Sequence, residues 1–281
     1  MAYILEAFEP EFMQRALLGS LVAVVATSLV GTWVVLRGLA FLGDALAHGV
    51  IPGIALAVLL GFSPVIGAFV SALVMSGMVS LISTRTAVRE DTSIGLLFVG
   101  MLALGIVIVS RARSFSTEVT ALLFGDVLGV TLLDIRTQAI AAAVVVVATF
   151  ILYRPFLALT FNRAKAQTLG MRPQLAQTAM LALLALSIVA SFEAIGTLLI
   201  VGLLVGPPAT ASLFVHRVPM IMLTSIGLGS LAVIAGLVVS FNHGTAGGAT
   251  IAGFSVLQFF VVLLIREVVT ALRRPATPAL V

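Results

Sequence analysis

The chain has no cysteine among its 281 residues. That absence removes disulfides and thiolate metal sites together. Any metal it handles is held by oxygen, nitrogen or thioether sulfur. Charge is scarce too: 9% of residues are Asp, Glu, Lys or Arg, against 61% hydrophobic. No soluble domain of this length has such a balance. Lysine is nearly missing, Lys165 being the single one, so no G-x-x-x-x-G-K-[ST] loop exists and ATP is not hydrolysed here by that route. H-E-x-x-H and a serine nucleophile elbow are also absent, and we expect no enzyme activity of the chain itself. The N-terminal MAYILEAFEPEFMQR lacks a basic n-region and a small-residue cleavage site, so the first span is expected to act as its own insertion signal.

What remains is apolar sequence in blocks of about 20 residues, the length that crosses a hydrocarbon core. The expectation is an all-α polytopic membrane protein of about 8–9 spans, forming a single domain over 1–281. The spans lie near 14–36, 38–61, 64–83, 92–110, 135–153, 173–192, 194–214, 219–241 and 249–265. The seventh is interrupted by Pro207 and Pro208. The net charge of +4 gives no reason to expect a nucleic-acid partner, because the basic residues fall between spans and set orientation. The connection 154–172 carries Arg154, Arg163, Lys165 and Arg172, and the C-terminal residues carry Arg266, Arg273 and Arg274. Placing both inside puts 84–91 inside and leaves 1–13, 111–134 and 242–248 outside. Arg111 and Arg113 run against the rule but are accompanied by Glu118, Asp126 and Asp134. Residues 115–131 read as an interfacial or re-entrant helix, and 273–281 as a disordered tail.

Inside the second apolar block stand Asp44 and His48. Four residues is about one helical turn, so both side chains share a face. A carboxylate near mid-bilayer costs about 2.5–3.5 kcal/mol, so its presence beside an imidazole points to use. The pair suits one half of a divalent transition-metal site; it also suits a proton relay, or a structural pair in which Asp44 bonds His48. Breakers follow in HGVIPGIA (48–55) and recur in VGPPATA (205–211). A broken span is tolerated only against protein or a water-filled path; small-residue packing explains 205–211 equally well, but 48–55 less well, because Asp44 and His48 sit just before Pro52.

Glu193 and His243 fall at the outer ends of spans, where each is either an entry gate or second metal contact, or a solvated loop residue. His216, beside Arg217, reads as interfacial. In 161–173 a short amphipathic helix, Ala164–Leu169, reads as ending at Gly170 ahead of Pro173, although pattern alone favours an ordinary connection between spans.

With these residues in place, the chain resembles the membrane permease subunit of the bacterial ABC importers for zinc, manganese and iron. The likeness is carried by LRGLAFLGDALAHGVIPGIALA, then in order by REDTSIGLLFVGMLALGIVIV, ALLFGDVLGV, GTLLIVGLLVGPPATA and GGATI. It implies the metal-type importer permease fold, a homodimer, two cytoplasmic ATPase subunits that use ATP, and an extracytoplasmic metal-binding protein. No intrinsic cofactor is implied; the divalent metal is cargo. Asp44 and His48 would line the path at the dimer centre. AKAQTLGM, with Ala164, Leu169 and Gly170, would be the helix that docks the ATPase, and Phe124–Gly129 would face the delivery protein. Glu193 stands where many relatives have a neutral residue, and Asp126 where Asn is frequent; both leave the choice of metal open. Three other readings stay in play: a proton-coupled secondary transporter, an importer of a metal chelate, and a non-transporting scaffold, for which Asp44 would be dispensable.

Overall fold

The computed structural model describes residues 6–86, 88–110, 127–161, 167 and 172–273. Among them the architecture is all-helical: α1 (Glu11–Leu36), α2 (Ala40–Gly49), α3 (Ile51–Leu60), α4 (Pro64–Arg85), α5 (Glu90–Ser110), α6 (Leu132–Ile151), α7 (Tyr153–Phe161), α8 (Pro173–Ile195), α9 (Thr197–Ser212), α10 (Val218–His243) and α11 (Gly247–Arg273), with a 3-10 turn at Val127–Gly129. Prolines open α4 and α8, where their missing N–H and fixed φ suit the first turn. A reciprocal capping box starts α6: the Thr131 N–H donates to Asp134 Oδ2 at 2.9 Å, and the Asp134 N–H donates to Thr131 Oγ1 at 3.2 Å.

Among the described residues, eight helical segments are long and apolar enough to cross a membrane, α2 and α3 counting together as one. The chain is a multi-pass membrane protein. α1 runs through the middle of the bundle and packs against α6, α8, α9 and α10. On one side α2 to α5 pack on each other; on the other, α9 to α11 do. α5 and α11 are peripheral, with Leu96, Val99, Ile106, Leu257, Phe260 and Leu264 exposed, as lipid-facing helices require.

Three features depart from the sequence reading. The second span is two helices, broken at Val50. Pro52 has no N–H to give the His48 carbonyl, and the neighbouring Gly49 carbonyl accepts from the Ser71 hydroxyl of α4 at 2.7 Å. That bond ties the break to α4. Next to it, Gly53 of α3 and Gly67 of α4 meet backbone to backbone, each so close that a Cβ on either would collide with the other's carbonyl oxygen. Second, the seventh span is a short helix, Thr197–Ser212. Pro208 frees the Leu204 carbonyl, and that oxygen abuts the bare backbone of Gly31 in α1. The two prolines therefore mark a tight α1–α9 crossing. Third, helix continues on both sides where spans were expected to end. α7 occupies the first part of the 154–172 connection, and α11 runs on to Arg273, carrying Arg266 on helix, not in a tail. Residues 274–281 and most of 115–131 lie outside the described residues.

Candidate metal path and its supports

Asp44 and His48 both belong to α2, on one face and one turn apart. His48 Nδ1 lies 3.0 Å from the Asp44 backbone carbonyl and 3.5 Å from Asp44 Oδ1. A carbonyl can only accept, so Nδ1–H is the donor and the lone pair of the neutral ring resides on Nε2. Anchoring one ring nitrogen in this way fixes the tautomer and aims the other, the usual support of a metal-bound imidazole. The side chains are 27% exposed for His48 and 38% for Asp44, so neither is sealed in the bundle. Among the described residues no group of three or more His, Asp or Glu side chains is placed to hold a metal ion. The pair by itself offers one carboxylate and one imidazole.

The aromatic neighbours of the pair leave no mark in the linear sequence. Phe98 of α5 packs edge-on against the His48 ring, centroids 5.8 Å apart, and against Phe41, 5.5 Å apart. Nothing in the linear pattern joins position 98 to position 48; only the packing of α2 on α5 does.

A second constellation was likewise hidden. Arg37, at the end of α1, donates through Nη2 to both Glu90 carboxylate oxygens at 3.0 and 3.2 Å. The side chains are only 9% and 21% exposed. Gln177 of α8, fully buried, donates through Nε2 to Glu90 Oε1 at 2.8 Å and to Ser83 Oγ at 3.3 Å. The ends of α1, α4, α5 and α8 are thereby tied together at the side that the arginine distribution assigns to the cytoplasm. One turn earlier in α1, buried Trp33 is flanked by Tyr153 and Phe156 of α7, with centroids 5.6 and 5.7 Å away. Both helices that flank 162–171 are therefore fastened to the same end of α1, the end that leads into α2.

His243 is the exposed last residue of α10, and His216 is exposed in the connection before it. Glu193 lies in the last turn of α8 by its backbone, its side chain outside the described part. Ala164, Leu169 and Gly170 lie outside the described residues. Clefts of about 530, 560 and 590 Å³ open between α7 and α8, between α4, α6 and α8, and between α1, α6 and α10. Their walls are mostly apolar, with Arg172, Asp134 and Arg154 at one cleft each, and neither Asp44 nor His48 lines them.

Residues 9–266 match the ABC 3 transport family. The chain is 35% identical over 254 residues to a manganese import system permease protein of Streptococcus parasanguinis, covering 89% of this chain and 90% of that protein. It is 32% identical to a chelated iron transport system membrane protein of Yersinia pestis, over 93% of this chain and 88% of that one. Among solved structures it resembles PsaBC from Streptococcus pneumoniae, solved in complex with Fab, with a TM-score of 0.83, 29% identity, and coverage of 97% of this chain and 99% of that one.

Proposed function

The chain belongs to the ABC 3 transport family, and from that membership we propose that it is the permease subunit of an importer that carries a divalent transition metal (zinc, manganese or iron) across the bacterial cytoplasmic membrane. The observation that carries the metal reading is the Asp44–His48 pair, one turn apart and partly exposed on an otherwise apolar span. A half-exposed carboxylate at that depth is too costly against lipid. Its face therefore meets water or another protein. Two donors make half a coordination shell, and a second copy of the chain supplies the other half. The resulting Asp2His2 set of oxygen and imidazole nitrogen suits the metals named in the similar proteins.

The mechanism is alternating access. A loaded extracytoplasmic binding protein docks outside and releases the ion to the paired Asp44 and His48 side chains. These hold it through carboxylate oxygen and Nε2, with Glu193 or His243 as outer gate. Holding must be modest, because conduction needs release as much as capture. Two cytoplasmic ATPase subunits, supplying the nucleotide chemistry that this chain lacks, engage Ala164–Gly170 and switch the access. A metal chelate is the second reading, favoured by the likeness to the chelated-iron protein.

The test is reconstitution of the permease with its ATPase and binding protein in proteoliposomes. We expect metal accumulation that requires ATP on the ATPase side. Accumulation driven by a proton gradient without ATP would instead identify a secondary transporter.

A further inference from the structure

Phe41, Asp44 and His48 occupy one face of α2 at spacings of three and four residues. Two of these three side chains are rings, and both rings lean on the same residue of another helix. Phe98 meets Phe41 at an interplanar angle of 76° and His48 at 85°, the edge-to-face arrangement that aromatic rings prefer. Phe98 itself is half-buried and packed against the apolar core.

An imidazole on a helix has two torsions to settle before its lone pair points anywhere. The contact of Nδ1 with the Asp44 carbonyl constrains the ring at one corner. The constraint is incomplete, since the ring still swings about that corner. Phe98 packs edge-to-face with that ring and with Phe41, a contact that opposes the swing. Nε2 is the ring nitrogen left without that backbone contact.

We propose that Phe98 is a positioning residue for the ligand nitrogen of His48. It holds the imidazole plane so that Nε2 presents its lone pair to the metal ahead of binding. The inference rests on the reading of Asp44 and His48 as metal ligands. It adds to that reading a residue with no donor atom, on a different helix. Hydrogen-bonded groups that orient a metal ligand without touching the metal are worth about 10- to 100-fold in affinity, and a packing contact belongs at the low end of that range.

The test uses the assembled permease–ATPase complex in lipid nanodiscs and measures Mn2+ retention by equilibrium dialysis. Four variants are compared with wild type: Phe98→Leu, Phe98→Tyr, His48→Ala and the double variant His48→Ala with Phe98→Leu. Leucine nearly fills the space without an aromatic edge, and thermal unfolding in the same nanodiscs confirms that each variant is folded. We expect Phe98→Leu to weaken Mn2+ retention about tenfold, Phe98→Tyr to restore it, and Phe98→Leu to add nothing once His48 is gone. Wild-type retention in Phe98→Leu alongside loss in His48→Ala would overturn the positioning role and leave the metal pair standing. A loss in Phe98→Leu that adds to the loss in His48→Ala would also overturn it, because Phe98 would then act by another route. Wild-type retention in His48→Ala would overturn the metal pair and Phe98's role with it.

Discussion

Arg37 and Glu90 are fifty-three residues apart in sequence, yet one guanidinium nitrogen donates to both oxygens of that carboxylate in a largely dehydrated pocket between four helix ends. Removing one member of such a pair leaves the other charge buried without its counterpart, which costs far more than losing both. We expect Arg37→Ala and Glu90→Ala each to lower stability by about 2–4 kcal/mol, and the double variant to cost clearly less than their sum. Thermal unfolding of the four proteins in detergent, read as a double-mutant cycle, checks this. Additive losses would show that the two side chains do not act as a pair.

The glycine crossing of α3 on α4 gives a contrast within a single helix. A Cβ at Gly67 strikes the Gly53 carbonyl, whereas one at Gly77 meets nothing within 4 Å. Gly67→Ala should destabilise by about 1–3 kcal/mol through overpacking. Gly77→Ala should be neutral or stabilising by up to about 1 kcal/mol through helix propensity. Unfolding midpoints of the two variants decide the matter.

Gly170 is proposed to end the helix that engages the ATPase. Gly170→Phe should leave membrane insertion intact and lower the metal moved per ATP hydrolysed. Measuring transport and hydrolysis on the same proteoliposomes checks it. An unchanged ratio would make 161–173 a plain connector.

The apolar blocks placed the spans because burying backbone in hydrocarbon forces helices of a known length. Their ends were less legible. Hydropathy falls away after position 265, where Arg266 and Glu267 enter, but helix propensity does not, so α11 continues to Arg273. For the same reason residues 154–161 read as connection in the sequence, with a charge and a proline in the first turn of α7. Asp44 and His48 were legible because helical spacing alone puts them on one face. Their supports were not. Phe98, Ser71 and the Arg37–Glu90–Gln177 cluster reach their partners only through tertiary packing, and residue types that common carry no signal by themselves. The second half of the metal site is proposed to come from another copy of the chain, which no reading of one copy contains.

The measurement closest to the central claim is elemental analysis of metal-starved cells that lack this gene and carry either the wild-type chain or Asp44→Ala, at matched expression. Asp44 is proposed as a ligand of the transported ion. One divalent transition metal should therefore recover with the wild-type chain and stay depleted with the variant, by about tenfold or more if the carboxylate is a direct ligand. Equal recovery in both strains would contradict the account, since an intramembrane carboxylate that can be deleted without loss of metal does not hold the cargo.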